Sequence, residues 1–371
     1  VSISDIAKNW VGSLATYQPG KPIEEVAREL GLGDPETIVK LASNENSLGP
    51  SPRALDAMRA SASRMHIYPD GDAYYLREAL ARKWGVSREE IFIGHGSNEI
   101  IALLGHVFLE PGVSAVMSEY AFVVYKLVTA LYQATAIEAP ARSLGHDLDA
   151  MRAAIRPDTR LVFIANPNNP TGTLVSSNEL HSFLELAPDH VAVVVDEAYI
   201  ELVPPQQQPD VLRHVRARRN VFVLRTFSKA HGLAGLRIGY AIAPPEGIAL
   251  LNRVRQPFNV NAMAQAAALA ALDDEVHISR TREMVQAGLK QVSQGLADLG
   301  FPFVPSAANF ILVKVGNGRG YFEALLRRRV IVRPVDGYGL PEFIRVTIGT
   351  REENERFLNA LAHVKKELSS A

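Results

Sequence analysis

Val221-Phe-Val-Leu-Arg-Thr-Phe-Ser-Lys-Ala-His-Gly-Leu-Ala-Gly-Leu-Arg-Ile-Gly-Tyr240 is the stretch around which the chain is organised. Its β-branched, apolar start, Val221 to Leu224, predicts a buried strand that delivers Lys229 into a turn kept open by Gly232 and Gly235. Ser228 stands beside the lysine and Arg237 follows, so a hydroxyl and a fixed cation can converge on an anion next to the amine. The three suit a phosphate close to a carbonyl carbon that the amine attacks. A lysine amine does this only when deprotonated, and partial burial with a nearby cation favours that state. Alone, the stretch reads equally as a solvated lysine at a strand end. The rest of the chain has to decide.

A chain of 371 residues exceeds the usual single-core size and predicts one large and one smaller domain. The hydrophobic share of 47% and charged share of 21% are those of an ordinary globular protein, and a net charge of −1 gives no general attraction to nucleic acid or anionic membrane. With no cysteine, disulfides and thiolate metal sites are excluded. The ten histidines show no metal-ligand spacing, so no metal is expected. No apolar run is long enough to span a bilayer and no signal segment is evident, so a cytoplasmic protein is expected. The chain begins at Val1 rather than Met, so a few residues ahead of it are expected to be missing from the sequence.

From about Ile38 onward, short apolar runs alternate with helix-period segments. The runs are Ile91-Phe-Ile, Ala115-Val-Met, Leu161 to Ala165, Val191 to Val195, Val221 to Leu224 and Ile238 to Ala241. Such alternation predicts an α/β fold with a mainly parallel sheet covered by helices on both faces. After Pro257 a long helical region, Ala262 to Leu299, interrupted near Asp273-Asp274, leads to apolar runs at Asn309 to Val315, Val330 to Val332 and Phe343 to Ile348. The expected division is an N-terminal arm over 1–37, a large domain over 38–257 and a small α+β domain over 258–371.

Three further strand ends carry polar groups. His190-Val-Ala-Val-Val-Val-Asp-Glu-Ala-Tyr places Asp196 directly after a buried strand, where open α/β sheets bind ligands; the same acid also reads as a helix N-cap. Leu161-Val-Phe-Ile-Ala-Asn-Pro-Asn-Asn-Pro-Thr-Gly ends a strand in a tight turn. Ile91-Phe-Ile-Gly-His-Gly-Ser-Asn-Glu runs from strand through glycine turn into helix, and free N–H groups at a helix start, with Ser97 and Asn98, bind phosphate. A dinucleotide fingerprint beginning at Gly94-His-Gly96 fails at its third glycine, where Glu99 stands, which disfavours a nicotinamide dehydrogenase. Arg345 lies inside an apolar strand, where a guanidinium needs a partner and a planar fork suits a carboxylate. Arg345, like Arg333 in Val330-Ile-Val-Arg-Pro-Val, could instead pair with an internal acid.

Thr226-Phe-Ser-Lys-Ala-His-Gly-Leu-Ala-Gly-Leu-Arg-Ile-Gly resembles the lysine motif of the fold-type I pyridoxal phosphate aminotransferases. Tyr17-Gln-Pro-Gly-Lys-Pro and Lys40-Leu-Ala-Ser-Asn-Glu-Asn-Ser-Leu-Gly-Pro-Ser-Pro narrow the likeness to the histidinol-phosphate aminotransferases. The similarity runs from about Tyr17 to the Arg345 region and implies a large domain built on a seven-stranded sheet. It implies that Lys229 holds pyridoxal 5'-phosphate, that Asp196 faces the pyridine nitrogen, that Asn169 and Tyr199 hold the ring oxygen, and that Phe122 stacks on the ring. Phe122 alone would read as a core residue. Ser97, Asn98, Ser228 and Arg237 are implied to hold the phosphate, joined by Tyr68 from a second subunit, so a homodimer with shared sites is implied. At the substrate end, Arg345 is similar to the clamp for the α-carboxylate of glutamate or 2-oxoglutarate, Arg333 with Tyr17 to the substrate-phosphate site, and Asn309 to a brace for the carboxylate. His95 departs from the asparagine of much of the family.

The reaction implied is transamination of L-histidinol phosphate with 2-oxoglutarate, giving imidazole acetol phosphate and glutamate in histidine biosynthesis. An aromatic amino acid aminotransferase and, more distantly, a threonine-phosphate decarboxylase share the scaffold and stay open. A DNA-binding regulator with an aminotransferase-like domain is disfavoured, because the N-terminal arm has no room for a helix-turn-helix module and the charge is neutral.

Overall fold

The computed structural model describes residues 2–16, 20–217 and 220–370; Tyr17 lies outside the described residues. The strands in chain order are β1 (Val39–Lys40), β2 (Ile91–Gly94), β3 (Ser114–Ser118), β4 (Thr135–Ala139), β5 (Thr159–Ala165), β6 (Ala192–Asp196), β7 (Val221–Thr226), β8 (Gly239–Ile242), β9 (Phe303–Val304), β10 (Phe310–Lys314), β11 (Val330–Ile331), β12 (Arg333–Pro334) and β13 (Phe343–Thr347).

Seven of them form the main sheet in the order β2-β8-β7-β6-β5-β3-β4. The run from β7 to β4 is parallel, and β8 is antiparallel to both β7 and β2. Successive side chains alternate between faces, so strands of unbroken Val, Ile and Leu bury both. Val193, Val195, Val221 and Val223 face one core with the helices Pro52–Ala62, Tyr74–Trp84 and Ser177–Leu186. Val194, Phe163, Phe222 and Leu224 face the other with the helices Gly96–Phe108, Val123–Leu131 and Pro245–Val254. This is the expected fold, a mainly parallel seven-stranded sheet between helices. β4 carries no strong sequence signal, because it is an edge strand reading Thr-Ala-Ile-Glu-Ala with mostly part-exposed side chains.

A second unit has the antiparallel order β12-β13-β10-β9, backed by the helices Glu275–Asp298, Gly318–Arg327 and Arg351–Ser370. The packing crosses the expected boundaries at both ends. Ile38, Val39, Leu41 and Ala42 belong to the second core, because β1 pairs in parallel with β11. The helix Ala262–Leu272, placed by sequence in the small domain, lays Ala264, Ala267, Ala268 and Ala271 into the core of the main sheet. The chain thus passes between the units at Ser43 to Gly49 and again near Asp273.

Candidate active site

The carboxyl ends of β5, β6 and β7 open on one cavity of about 180 Å³, closed on its far side by β12 and β13. Its walls include Ser97, Asn98, Phe122, Asn169, Asp196, Tyr199, Ser228, Lys229, Arg237, Arg333 and Arg345. Eleven of the fourteen residues singled out from sequence therefore face one space.

At the inner end, Asp196 is the last residue of β6, in register with Ala165 and Leu224. It is no helix N-cap. One carboxylate oxygen accepts from the Ala198 amide at 3.2 Å, the other from the Tyr125 hydroxyl at 2.8 Å. Burial raises its pKa to about 6, opposed by the Tyr125 and Ala198 hydrogen bonds. A carboxylate held so far from water is poised to gain from a cation.

Phosphate-sized anions are catered for beside it. Gly96, with φ of +74°, opens the helix Gly96–Phe108, and a Cβ there would lie 2.8 Å from an Arg237 guanidinium nitrogen. Only glycine leaves that guanidinium its place over the helix start. Arg237 itself adopts a left-handed backbone, φ +56°, and donates to Ser228 Oγ at 3.3 Å and the Ala234 carbonyl at 3.1 Å. Glu99, an acid at the same helix start, is turned away: it accepts from the His95 amide at 2.6 Å and from Asn259 Nδ2 at 2.7 Å. Cation, hydroxyls and helix N–H groups thus meet without a facing acid.

Lys229 sits between the two ends, its Nζ 3.3 Å from the Ser43 carbonyl and 5.6 Å from the Tyr199 ring centre. Burial, then the positive charges of Arg345 and Arg237, lower its pKa to about 8, against the raising effect of Glu45 and Asp196. Tyr199 is pushed up to about 12 by burial and accepts from Asn44 Nδ2 at 3.0 Å, so it stays a neutral phenol.

On the opposite wall, Arg333 and Arg345 are cross-strand partners on β12 and β13 and both face the cavity. Side by side, two guanidiniums repel, and an anion between them relieves the repulsion. Arg345 is fixed by hydrogen bonds to Asn169 Oδ1 and the Ala42 carbonyl, and lies 5.2 Å over the Phe310 ring.

Of the other three expected residues, two do not line the cavity and one lies outside the described residues. Asn309 donates to the carbonyls of Asn44 (3.1 Å) and Glu45 (3.2 Å), so it fastens the crossing segment and does not face the cavity. Tyr68 is 79% exposed and stacks on Phe258 at 4.7 Å, away from the cavity of its own chain. Tyr17 is outside the described residues. Conversely, Asn44, Tyr125, Thr226 and Tyr338 line the cavity and were not singled out. Tyr125 carried a signal: it is a polar aromatic one helical turn beyond Phe122. No group of acidic or histidine side chains able to hold a metal occurs among the described residues, and no helix among them is long and apolar enough to cross a membrane.

A family profile described as aminotransferase class I and II matches residues 36–361. Histidinol-phosphate aminotransferase 2 of Nitrosospira multiformis is 47% identical over 98% of this chain and 92% of its own length. Histidinol-phosphate aminotransferase 1 of Thiobacillus denitrificans is 52% identical over 95% and 92%. The crystal structure of histidinol-phosphate aminotransferase from Sinorhizobium meliloti in complex with pyridoxal-5'-phosphate superposes with a TM-score of 0.88 at 28% identity, covering 98% of both chains.

Proposed function

The chain belongs to the class I and II aminotransferases, and on that premise we propose that it is a pyridoxal phosphate enzyme that transaminates L-histidinol phosphate with 2-oxoglutarate in histidine biosynthesis. The observation that carries the reading is the single cavity that sets Lys229 between a buried carboxylate with an anion cradle at one end and the Arg333–Arg345 pair at the other. The names of the full-length relatives supply the amine donor.

The donor set fits the cofactor. Ser97, Asn98, Ser228 and Arg237 would hold the phosphate, Asp196 the protonated ring nitrogen, Asn169 and Tyr199 the ring oxygen, and Phe122 one ring face. When bound, pyridoxal phosphate supplies the carbonyl that takes the substrate amine and the ring that accepts the electrons left at Cα. The protein does the rest. Lys229, whose pKa of about 8 leaves a fraction of the amine free near neutral pH, would take the proton from Cα as general base and deliver it as general acid to the cofactor's C4′. Arg333 would orient histidinol phosphate through its phosphate and Arg345 would orient glutamate through its α-carboxylate, so that Cα lies within reach of Lys229.

A homodimer in the cytoplasm is part of the proposal. Met65, Ile67, Tyr68 and Tyr75 are exposed along one stretch of chain and exposed Phe258 stacks on Tyr68, the kind of apolar surface a second copy covers. Tyr68 would then reach the partner's phosphate end, and Tyr17 in the arm would join Arg333. The division into arm, large and small domain is likewise proposed, with Ile38 to Ala42 and Ala262–Leu272 exchanged between cores as described.

A half-reaction tests the reading. Holoenzyme given L-histidinol phosphate or L-glutamate should lose the absorbance of the bound aldehyde form quickly, and with L-phenylalanine slowly. Fast loss with phenylalanine and none with histidinol phosphate would assign the protein to the aromatic group instead.

A further inference from the structure

We propose that Tyr125 is a positioning residue for the cofactor ring, acting through Asp196: its hydroxyl fixes the carboxylate as an acceptor aimed at the ring nitrogen. The inference rests on the reading above, in which Asp196 faces that nitrogen.

Tyr125 is fully buried, on the helix Val123–Leu131 beneath the cavity floor. Its ring is clamped. One face stacks on Phe163 of β5 at 4.6 Å and 4° between planes, and the ring makes a T-shaped contact with Phe122 at 5.6 Å and 89°. A phenol held by these two contacts has its oxygen 2.8 Å from one Asp196 carboxylate oxygen. The other oxygen takes the Ala198 amide. Each carboxylate oxygen therefore has one donor from the protein, which fixes the plane of the group and leaves lone pairs for a third donor from the cavity.

A buried carboxylate without such donors takes up a proton and ceases to accept. Burial of Asp196 pushes in that direction, and the Tyr125 hydroxyl is the strongest group opposing it. The phenol cannot become a competing acid, because burial and the Asp196 charge raise its own pKa well above the usual tyrosine range. It therefore donates at every working pH. The same clamp links two contacts to the ring, since Phe122, the residue expected on the ring face, is in T-shaped contact with Tyr125.

Binding of pyridoxal phosphate and of its analogue with carbon in place of the ring nitrogen, titrated into apoenzyme, separates this role from a merely structural one. Wild type is expected to prefer pyridoxal phosphate clearly. Tyr125→Phe should weaken pyridoxal phosphate binding roughly 10- to 100-fold, the loss of a hydrogen bond to a charged group, and leave the analogue's affinity unchanged. Equal weakening of both ligands, or none of either, would overturn the inference. If wild type itself does not distinguish the two ligands, the placement of Asp196 is wrong and the inference falls with it. Should the phenylalanine variant not fold, Tyr125→His, which keeps an N–H donor, carries the test. It should preserve the wild-type preference, and equal loss toward both ligands would again overturn the role.

Discussion

Lys229 should show its unusual acidity in the apoenzyme. An ordinary lysine titrates near 10.5, and burial together with Arg345 and Arg237 brings Lys229 to about 8. At neutral pH that leaves roughly 300-fold more free amine than an unperturbed lysine offers. Because only the free amine captures the cofactor aldehyde, the rate of apoenzyme reconstitution with pyridoxal phosphate should climb with pH and level off above about 8. Stopped-flow absorbance between pH 6 and 10 measures it. Arg345→Gln removes a positive charge that disfavours the ammonium, so its midpoint should move to higher pH. A wild-type midpoint at the ordinary lysine value, or a downward move in the variant, would refute the reasoning.

Other consequences follow from the same geometry. Arg333→Gln should lower kcat/KM for L-histidinol phosphate roughly 10- to 100-fold more than for L-glutamate, since the lost charge-assisted contact is to phosphate; equal losses in steady-state assays would contradict its assignment. Gly96→Ala places a methyl 2.8 Å from the Arg237 guanidinium at a φ of +74°, and should weaken pyridoxal phosphate binding and cost about 1 kcal/mol of stability, read by titration and thermal unfolding. Arg225→Ala strands Glu197, buried and bonded to that guanidinium at 2.7 Å, and should destabilise the fold by about 3–5 kcal/mol, visible in denaturant melts. Tyr68→Ala should weaken cofactor binding although Tyr68 is far from the site of its own chain; unchanged affinity in a protein that sediments as a dimer would remove Tyr68 from the partner's site.

How much of this was legible in the sequence follows from physical range. Strands buried on both faces announce themselves, because every residue from Leu161 to Ala165 or Ala192 to Val195 must be apolar. Polar residues at the ends of those strands were legible for the same reason: Asp196 and Lys229 follow apolar runs that leave them only the cavity. What the sequence hid was pairing at long range. Two residues, Val39–Lys40, carry no strand signal, yet they dock on Val330–Ile331 and so hold the Ser43–Asn44 segment against Lys229 and Tyr199. Asn309 reads as a substrate brace because it precedes a strand, but its Nδ2 donates to the carbonyls of Asn44 and Glu45. Tyr125 carried only the weak signal of its spacing from Phe122, and the distance to Asp196 is what separates a core aromatic from a working one.

The most direct test of the central claim is the half-reaction followed in Lys229→Ala beside wild type. With L-histidinol phosphate, wild type should convert bound pyridoxal phosphate to the pyridoxamine form within seconds, while the variant, cofactor bound, should convert slower by several orders of magnitude and recover in part with added small amines. Equal rates in the two proteins would contradict the account, because proton transfer at Cα would then not depend on the lysine around which the chain is built.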